Sequence, residues 1–151
     1  MKYFAYGMNT NQNEMALRCP DAVSLGEAVL PDHEFRFARH ADVIYYPGFE
    51  TRGVLWEITD ECEHALDALE GFPTYYLKKT VTVDHYGEEV EAMVYYMAGD
   101  VPDEVPSDSY LMMLYEGYAQ HNISARQIVE SLDYINAYHT ALAKKGQYFY
   151  G

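Results

Sequence analysis

The stretch that most constrains the fold is TYYLKKTVTVDHYGEEVEAMVYYMAG, from Thr74 to Gly99. Apolar and polar residues alternate on both sides of the Tyr86-Gly87 pair, and this period of two is typical of strands with one buried face. A turn pair between two alternating runs indicates a hairpin. The segment therefore predicts two long, paired antiparallel strands.

More strand-forming pieces precede this hairpin, between Ala22 and Ile58. They read VSLGEAVL, HEFRFAR, VIYY and GVLWEI, and they are separated by Pro31, Pro47-Gly48 and Gly53. Proline and glycine are the residues that most often interrupt a strand. The pattern predicts a run of short antiparallel strands.

A helix is expected between these strands and the hairpin, in TDECEHALDALEGFP. Asp60 can cap its start with Glu63 three residues later, and Gly71 and Pro73 end it. Its predicted buried stripe consists of Cys62, Ala65, Leu66 and Leu69.

Two further helices are predicted after the hairpin. The first starts near Ser107 and carries apolar side chains at helical spacing. The second starts at a capping box of Ser124 and Gln127, with Ile123 and Ile128 as a hydrophobic staple, and runs to about Lys144. Strands that come first and helices that come late predict one α+β domain over residues 1–151, with a mixed, mostly antiparallel twisted sheet or small β-barrel flanked by helices.

Composition excludes several classes of partner. The net charge is −14, so the surface would repel a polyanion, and neither nucleic acid nor an anionic membrane is expected to bind. No apolar stretch approaches the roughly 20 residues of a membrane span, and no signal peptide is recognised, which predicts a cytoplasmic location. The six histidines lack metal-site spacing, and Cys19 and Cys62 are expected to be reduced core thiols.

Glu70 has an unusual position for an acid. It directly precedes the Gly71 stop, where the negative end of the helix dipole disfavours a carboxylate, and it lies on the border of the predicted buried stripe. Partial burial and the dipole would both raise its pKa and prepare it to accept a proton near neutral pH. Periodicity alone favours a solvated glutamate that happens to end a helix.

The N-terminus supplies a second candidate segment, YFAYGMN. Lys2 to Tyr6 is predicted to be a strand, Gly7 to Thr10 a turn, and Asn11 to Leu17 a helix that Pro20 ends. Together with LDALEGFPTYYLKKTVTV, this segment resembles the YGSN and acid-glycine signatures of the γ-glutamylcyclotransferase family, which includes AIG2-like proteins. The resemblance extends from about Tyr3 to Gln120, and the final helix, about 124–144, lies outside it.

The resemblance implies a site and a reaction. It implies that Glu70 is the catalytic general base and acid, that main-chain groups of the turn grip a γ-glutamyl group, and that tyrosines shape the pocket. Met8 departs from the family's usual serine, and Tyr75 can take the place of Tyr76 if the register shifts by one. The implied substrate-binding residues are Tyr6, Gly7, Met8, Asn9, Thr10, Tyr76, Tyr95 and Tyr110.

The implied reaction is intramolecular. The α-amine of a small γ-glutamyl substrate attacks its own γ-carbonyl, which forms 5-oxoproline and releases an amine or amino acid, with no metal or cofactor. The chain would be a monomer or a homodimer. A non-catalytic binding protein of the same fold is the alternative, and a protein–protein role for a tyrosine-rich surface is a third hypothesis, since the chain holds 16 tyrosines.

Overall fold

The strands occupy the first two thirds of the chain, and the two longest helices come last. The computed structural model describes the backbone of residues 1–150 and the side chains of residues 1–142 and 144. The elements in chain order are β1 (Lys2–Ala5), a 3-10 turn (Met8–Thr10), α1 (Gln12–Arg18), β2 (Val23–Ala38), β3 (His40–Glu57), α2 (Asp60–Glu70), β4 (Tyr76–His85), β5 (Glu88–Met97), α3 (Asp108–Gln120) and α4 (Arg126–Tyr150).

The five strands close into a barrel in the order β1-β3-β2-β4-β5. Neighbouring strands are antiparallel except at one seam, where β1 runs parallel to β5 with Tyr3 opposite Met93. At the other narrow junction, β2 meets β4 with Val29 opposite Asp84. The α+β class with a mostly antiparallel sheet or small barrel is thereby confirmed.

The predicted hairpin is confirmed as β4 and β5. Its register runs from Tyr76 opposite Met97 to His85 opposite Glu88. The turn residues Tyr86 and Gly87 both have positive φ, 52° and 88°, which is the geometry of a two-residue hairpin turn that follows the strand twist. This hairpin forms one wall of the barrel.

The prediction of several short strands between Ala22 and Ile58 is wrong. The segment forms two long strands, β2 and β3, which bend instead of stopping. The pairing register shifts between Ser24 and Glu27 and again between Pro31 and His33. Such bulges let a strand curve around a barrel without ending.

The barrel core and the two last helices are fixed by large apolar side chains. Phe4 and Leu55 are fully buried between β1 and β3, and Leu114 and Tyr118 bury one face of α3. At Gly117 this helix comes so close to the 3-10 turn that a Cβ atom would lie 2.7 Å from the Asn11 amide nitrogen. Only glycine allows this approach, by which α3 supports the turn after β1.

Helix α2 starts and packs differently from the prediction. Its cap is Thr59 rather than Asp60, and the Thr59 hydroxyl accepts a hydrogen bond from the Cys62 amide at 3.1 Å. Of the predicted stripe, Cys62 and Leu66 are buried, whereas Ala65 and Leu69 are exposed. The C-terminal stop is confirmed, because Gly71 caps the helix in the left-handed conformation with φ 66°.

Two further expectations are corrected. Gln127 does not close a capping box, because its side chain bonds the backbone of Arg52 instead, and α4 extends to Tyr150 rather than to about Lys144. Cys19 and Cys62 are buried as predicted, yet they are joined in a disulfide that ties the end of α1 to α2, and are therefore not free thiols. Ile123 and Ile128 are both buried at the start of α4.

Among residues 1–150, no helix is both long enough and apolar enough to cross a membrane.

Candidate active site

One pocket lies where the turn after β1 meets the end of α2. It is a cavity of about 150 Å³. Eight of the nine residues predicted for the site line it, although they come from five separate parts of the chain: the turn after β1, α2, β4, β5 and α3. These eight are Tyr6, Gly7, Met8, Asn9, Glu70, Tyr76, Tyr95 and Tyr110.

Thr10 is the predicted site residue that does not line the pocket. Its side chain is fully buried, and its hydroxyl donates to the Gly7 carbonyl at 2.7 Å. The Thr10 amide donates to the same carbonyl at 3.0 Å, and the Asn11 amide donates to the Met8 carbonyl at 3.1 Å. Thr10 therefore stabilises the turn through these hydrogen bonds without lining the pocket.

Gly7 is needed for space rather than for a positive φ. Its backbone has φ −114° and ψ −131°, and a Cβ atom there would lie 3.0 Å from the Ala41 Cβ and 3.1 Å from the Tyr110 hydroxyl. A side chain would push these groups out of the pocket wall. The close approach of the turn to the barrel thus depends on glycine.

The side of the turn that faces α1 is already satisfied. Asn11 caps α1 by accepting hydrogen bonds from the amides of Asn13 and Glu14 at 2.9 and 3.3 Å. The Asn11 cap therefore occupies the first amides of α1, which are not free to bind a substrate carboxylate. Candidate main-chain donors remain at the start of the turn, in Gly7 and Asn9, whereas the Met8 amide bonds the Tyr110 hydroxyl.

Glu70 is half-buried and faces the turn. Its Oε1 accepts a hydrogen bond from Asn9 Nδ2 at 3.2 Å. Burial raises the pKa of Glu70 to about 7, while the nearby Arg18 charge and the Asn9 hydrogen bond act in the opposite direction. The direction agrees with the sequence prediction, and the carboxyl exchanges its proton near neutral pH.

Asn9 links several parts of the site. Besides Glu70, its Nδ2 donates to the Tyr3 hydroxyl at 3.0 Å, and its backbone carbonyl accepts from Trp56 Nε1 at 3.0 Å. Its side-chain oxygen, Oδ1, is buried and has no hydrogen-bond partner among the described residues. The Nδ2 group of this side-chain amide therefore has two hydrogen-bond partners, whereas its oxygen has none among the described residues.

The tyrosines contribute rings more than hydroxyl groups. Three of them donate their hydroxyl protons to the protein: Tyr6 to the Tyr95 carbonyl at 2.7 Å, Tyr76 to the Ala41 carbonyl at 2.7 Å, and Tyr95 to Asp67 Oδ1 at 2.6 Å. The Tyr110 oxygen instead accepts from the Ala41 amide at 3.0 Å. Burial raises the pKa of all four above the ordinary value, so they stay protonated.

Within the described part of the chain, no group of three or more His, Cys, Asp or Glu side chains is arranged to hold a metal ion.

Comparison with known proteins identifies the family. The family model described as "Gamma-glutamyl cyclotransferase, AIG2-like" matches residues 3–112. The chain belongs to this family. The matched range contains every predicted site residue and ends within α3, so α4 lies outside it.

Solved structures show the same cyclotransferase fold. A chain called gamma-glutamyl cyclotransferase has a TM-score of 0.77 and 25% identity, and the match covers 83% of this chain and 82% of that one. The uncharacterized protein loc79017 from Homo sapiens has a TM-score of 0.74 and 27% identity over 80% and 79% of the two chains. YkqA from Bacillus subtilis matches at a TM-score of 0.75 and 21% identity, over 90% of this chain and 54% of its own, and shows the fold alone. No curated protein sequence is a significant match.

Five residues that line the pocket are not in the predicted set. Tyr75 was named only as the alternative to Tyr76, and both line the pocket, Tyr76 buried and Tyr75 about two fifths exposed at the rim. Leu69 could have been predicted from its position next to Glu70 in the sequence. No local sequence signal places His40 and Ala41, at the start of β3, in the pocket. The five are Tyr3, His40, Ala41, Leu69 and Tyr75.

Proposed function

We propose that the protein is a γ-glutamylcyclotransferase that releases 5-oxoproline and a free amine or amino acid from a small γ-glutamyl substrate. The observation that carries this proposal is Glu70, a half-buried carboxyl with a pKa of about 7 that lines the pocket opposite the turn after β1. A group with this pKa can both accept and return a proton at physiological pH.

The chemistry needs one proton carrier. The substrate's α-amino group has a pKa of about 8 and arrives mostly as an ammonium ion. Ionised Glu70 accepts one of its protons, and the freed amine nitrogen attacks the γ-carbonyl carbon to form a new C–N bond. Glu70 gives this proton to the leaving nitrogen as the old C–N bond of the tetrahedral intermediate breaks. Ionised again, Glu70 takes the second proton from the ring nitrogen, which leaves the neutral lactam, and passes it to the released amine, which departs as an ammonium ion.

The negative oxygen of the intermediate needs donors that are already in place. The Thr10 amide is not one of them, because it bonds the Gly7 carbonyl. The amides of Gly7 and Asn9 are the candidates, together with the Tyr110 hydroxyl. That hydroxyl oxygen accepts backbone amide protons, so its own proton can be donated to a ligand.

The size of the cavity supports a small substrate. A cavity of about 150 Å³ is of the order that holds a benzene ring, and the five-membered ring of 5-oxoproline is smaller. Enclosure by tyrosine rings would hold the γ-glutamyl chain folded, with its amine near its carbonyl, which supplies the orientation that cyclisation requires. The leaving group would extend past Leu69 and Tyr75 at the rim, each about two fifths exposed.

The test is direct. The purified protein is incubated with a panel of γ-glutamyl amines, amino acids and peptides, and 5-oxoproline is measured by mass spectrometry. Glu70→Gln should lower turnover by about 10²- to 10⁴-fold, the range for loss of a general acid–base group, while binding is largely retained. Glu61→Gln, an exposed glutamate on the same helix, is the matched control and should leave turnover unchanged.

Two outcomes would count against the proposal. Turnover by Glu70→Gln at the wild-type rate would contradict the role of Glu70. The absence of product with any substrate, together with clear stabilisation by γ-glutamyl compounds, would favour the non-catalytic binding protein.

A further inference from the structure

Helix α4 continues well beyond the barrel. Its buried side chains in the described part are Ile128 and Ile135, and after Ile135 every described side chain, in 136–142 and 144, is exposed. The helix nevertheless runs on to Tyr150. A lone helix of about 15 residues is only marginally stable in water, and most helices in proteins are stabilised by packing of an apolar face. The second half of α4 is therefore expected to pack against a partner.

Three large exposed side chains of α4 lie on one side of the helix. Tyr134, Tyr138 and Leu142 are 48 to 66% exposed, and at 100° per residue they fall within one stripe. Gln127 and Ser131 precede them on the same stripe, four and three residues apart. These five residues are called the α4 face below. It runs from the first turn of the helix, beside the barrel, into the half that the barrel does not cover.

A groove of about 430 Å³ opens beside the first half of the α4 face, between α4 and strands β2 and β3. Its walls include the exposed apolar side chains of Ile44 and Phe49. Burial and the nearby Asp103 carboxylate raise the pKa of Glu34 in this groove, although Arg36 acts in the opposite direction. The groove suits an apolar segment with positive charge, because its charged lining consists of four acids and one arginine: Glu34, Glu50, Asp103, Glu130 and Arg36.

The chain itself contains a segment of this kind. The first half of α4 carries Glu130 and Asp133, whereas residues 136–151 contain two lysines, Lys144 and Lys145, and no acid. Two α4 helices that pack antiparallel would place the basic half of each beside the acidic half of the other. Their dipoles would also oppose each other, so both charge terms favour this arrangement.

We propose that the protein forms a symmetric homodimer in which the α4 faces of two copies pack antiparallel and the C-terminal half of each α4 lies in the acidic groove of the other copy. With the twofold axis between positions 137 and 138, position 145 of each copy lies beside position 130 of the second copy. The two Tyr138 side chains meet near the axis. A twofold contact uses the same surface on both copies and closes after two of them.

Sedimentation velocity of the full chain over a range of concentrations tests the proposal. The wild-type protein should reach twice the 17.4 kDa of one chain. Tyr138→Glu places two carboxylates near the axis and should weaken association by a factor of about ten or more. Thr140→Glu is the matched control, because it introduces the same charge two residues away, at an exposed position on nearly the opposite side of the helix. It should leave the dimer intact.

A charge exchange tests the antiparallel register, and it decides the question if Tyr138→Glu does not fold. Glu130→Lys and Lys145→Glu should each weaken the dimer about 2- to 5-fold, because each places like charges side by side, and the double variant should recover most of the wild-type association. Glu130 also pairs with Arg126 of its own helix, but both side chains are exposed, so the loss of that pair should affect folding little. Circular dichroism of each variant checks its helix content.

The outcomes are distinct. A monomer at every concentration would overturn the proposal, and so would equal association of the wild type and Tyr138→Glu. If the double charge variant is as weak as the product of the two single effects, the antiparallel pairing is wrong. No described residue of α4 lines the candidate active site, and 5-oxoproline formation does not enter these measurements, so the dimer and the proposed reaction stand or fall separately.

Discussion

Asp67 and Glu70 lie three residues apart on α2, one helical turn from each other, and their surroundings drive their pKa values in opposite directions. Both are half-buried. Burial acts to raise the pKa of Asp67, but the hydrogen bonds from Lys78 at 2.8 Å and Tyr95 at 2.6 Å outweigh it and hold that pKa below its ordinary value. Glu70 has only the Arg18 charge and one amide hydrogen bond to offset burial, and its pKa rises to about 7.

The comparison shows that burial alone does not define a proton carrier. The Asp67 side of α2 is fixed by charge, since Lys78 also bonds Glu63 at 3.1 Å, whereas the Glu70 side is left without a cationic hydrogen-bond partner among the described residues. One helix thus carries a carboxylate suited to holding the structure and a carboxyl suited to exchanging a proton.

The largest expected difference is in turnover. We predict that Asp67→Asn keeps at least about a tenth of wild-type 5-oxoproline formation, because asparagine can still accept from Tyr95, while Glu70→Gln loses at least about 10²-fold. Both rates are measured in the mass-spectrometric assay with the same substrate. Equal losses of turnover in the two variants would contradict a specific role of Glu70 as the proton carrier.

The next effect is on the pH dependence of stability. Because the folded-state pKa of Glu70 is above the unfolded value, its stabilising contribution is fully present below the unfolded pKa and is lost as the pH rises through about 7. The free energy of unfolding of wild type relative to Glu70→Gln should fall by about 2 to 3 kcal/mol between about pH 5 and 8.

Asp67 provides the opposite sign as a control for this measurement. Its pKa is lowered by folding, so its contribution is present above the unfolded pKa and is lost as the pH falls through the folded value. Urea titrations of wild type, Glu70→Gln and Asp67→Asn at several pH values check both signs. A Glu70 contribution that grew with pH would contradict the buried state of this carboxyl.

The third effect is on the pH dependence of the rate. We expect kcat/KM to form a bell, with an acidic limb near pH 7 from Glu70 and a basic limb near about pH 8 from the substrate amine. Below the acidic limb, the rate should fall about tenfold per pH unit. Asp67→Asn should leave this limb in place, and a rate that did not change between about pH 5 and 7 would exclude Glu70 as the base.

The smallest expected effect is on the free energy of unfolding, and it concerns the ion pairs that Lys78 makes with Glu63 and Asp67 of α2. Lys78→Met removes the ammonium group that lies 4.5 Å from the centre of the Phe72 ring and bonds Asp67 and Glu63, and it should lower the free energy of unfolding by about 1 to 2 kcal/mol. Lys2→Met removes an exposed pair with Glu57 and should lower the free energy of unfolding less than Lys78→Met does. Chemical denaturation of the two variants gives the comparison, and equal losses would contradict it.

The sequence predicts what local patterns determine. The Tyr86-Gly87 turn and the Gly71 helix stop depend on a few adjacent residues, and both are found where they were predicted. The sequence leaves a twisted sheet and a small barrel both open, because the contact of Tyr3 with Met93 that closes the barrel joins segments ninety residues apart and neither carries a local signal for it. The bulges that turn short pieces into β2 and β3 likewise arise from the curvature of the barrel.

The candidate site likewise has parts that the sequence predicts and parts that it does not. The segments of Gly7 to Asn9 and of Glu70 were found through a family resemblance, and the structure brings them to one pocket. The direction of each hydroxyl could not be read from the sequence: Tyr95 turns its oxygen toward Asp67, and Tyr76 turns its oxygen toward Ala41. Such directions depend on which partner is nearest after folding.

The bond between Cys19 and Cys62 has a consequence for the unfolded chain. It closes a covalent loop over a sequence separation of 43 that contains all of β2 and β3, and loop-closure estimates assign such a crosslink about 4 kcal/mol through the lost freedom of the denatured ensemble. The loop also keeps the segment after the Gly7 turn tethered to the helix that carries Glu70. Both halves of the candidate site lie outside this ring but close in sequence to its two cysteines, so even a denatured, oxidised molecule would keep them near the same crosslink.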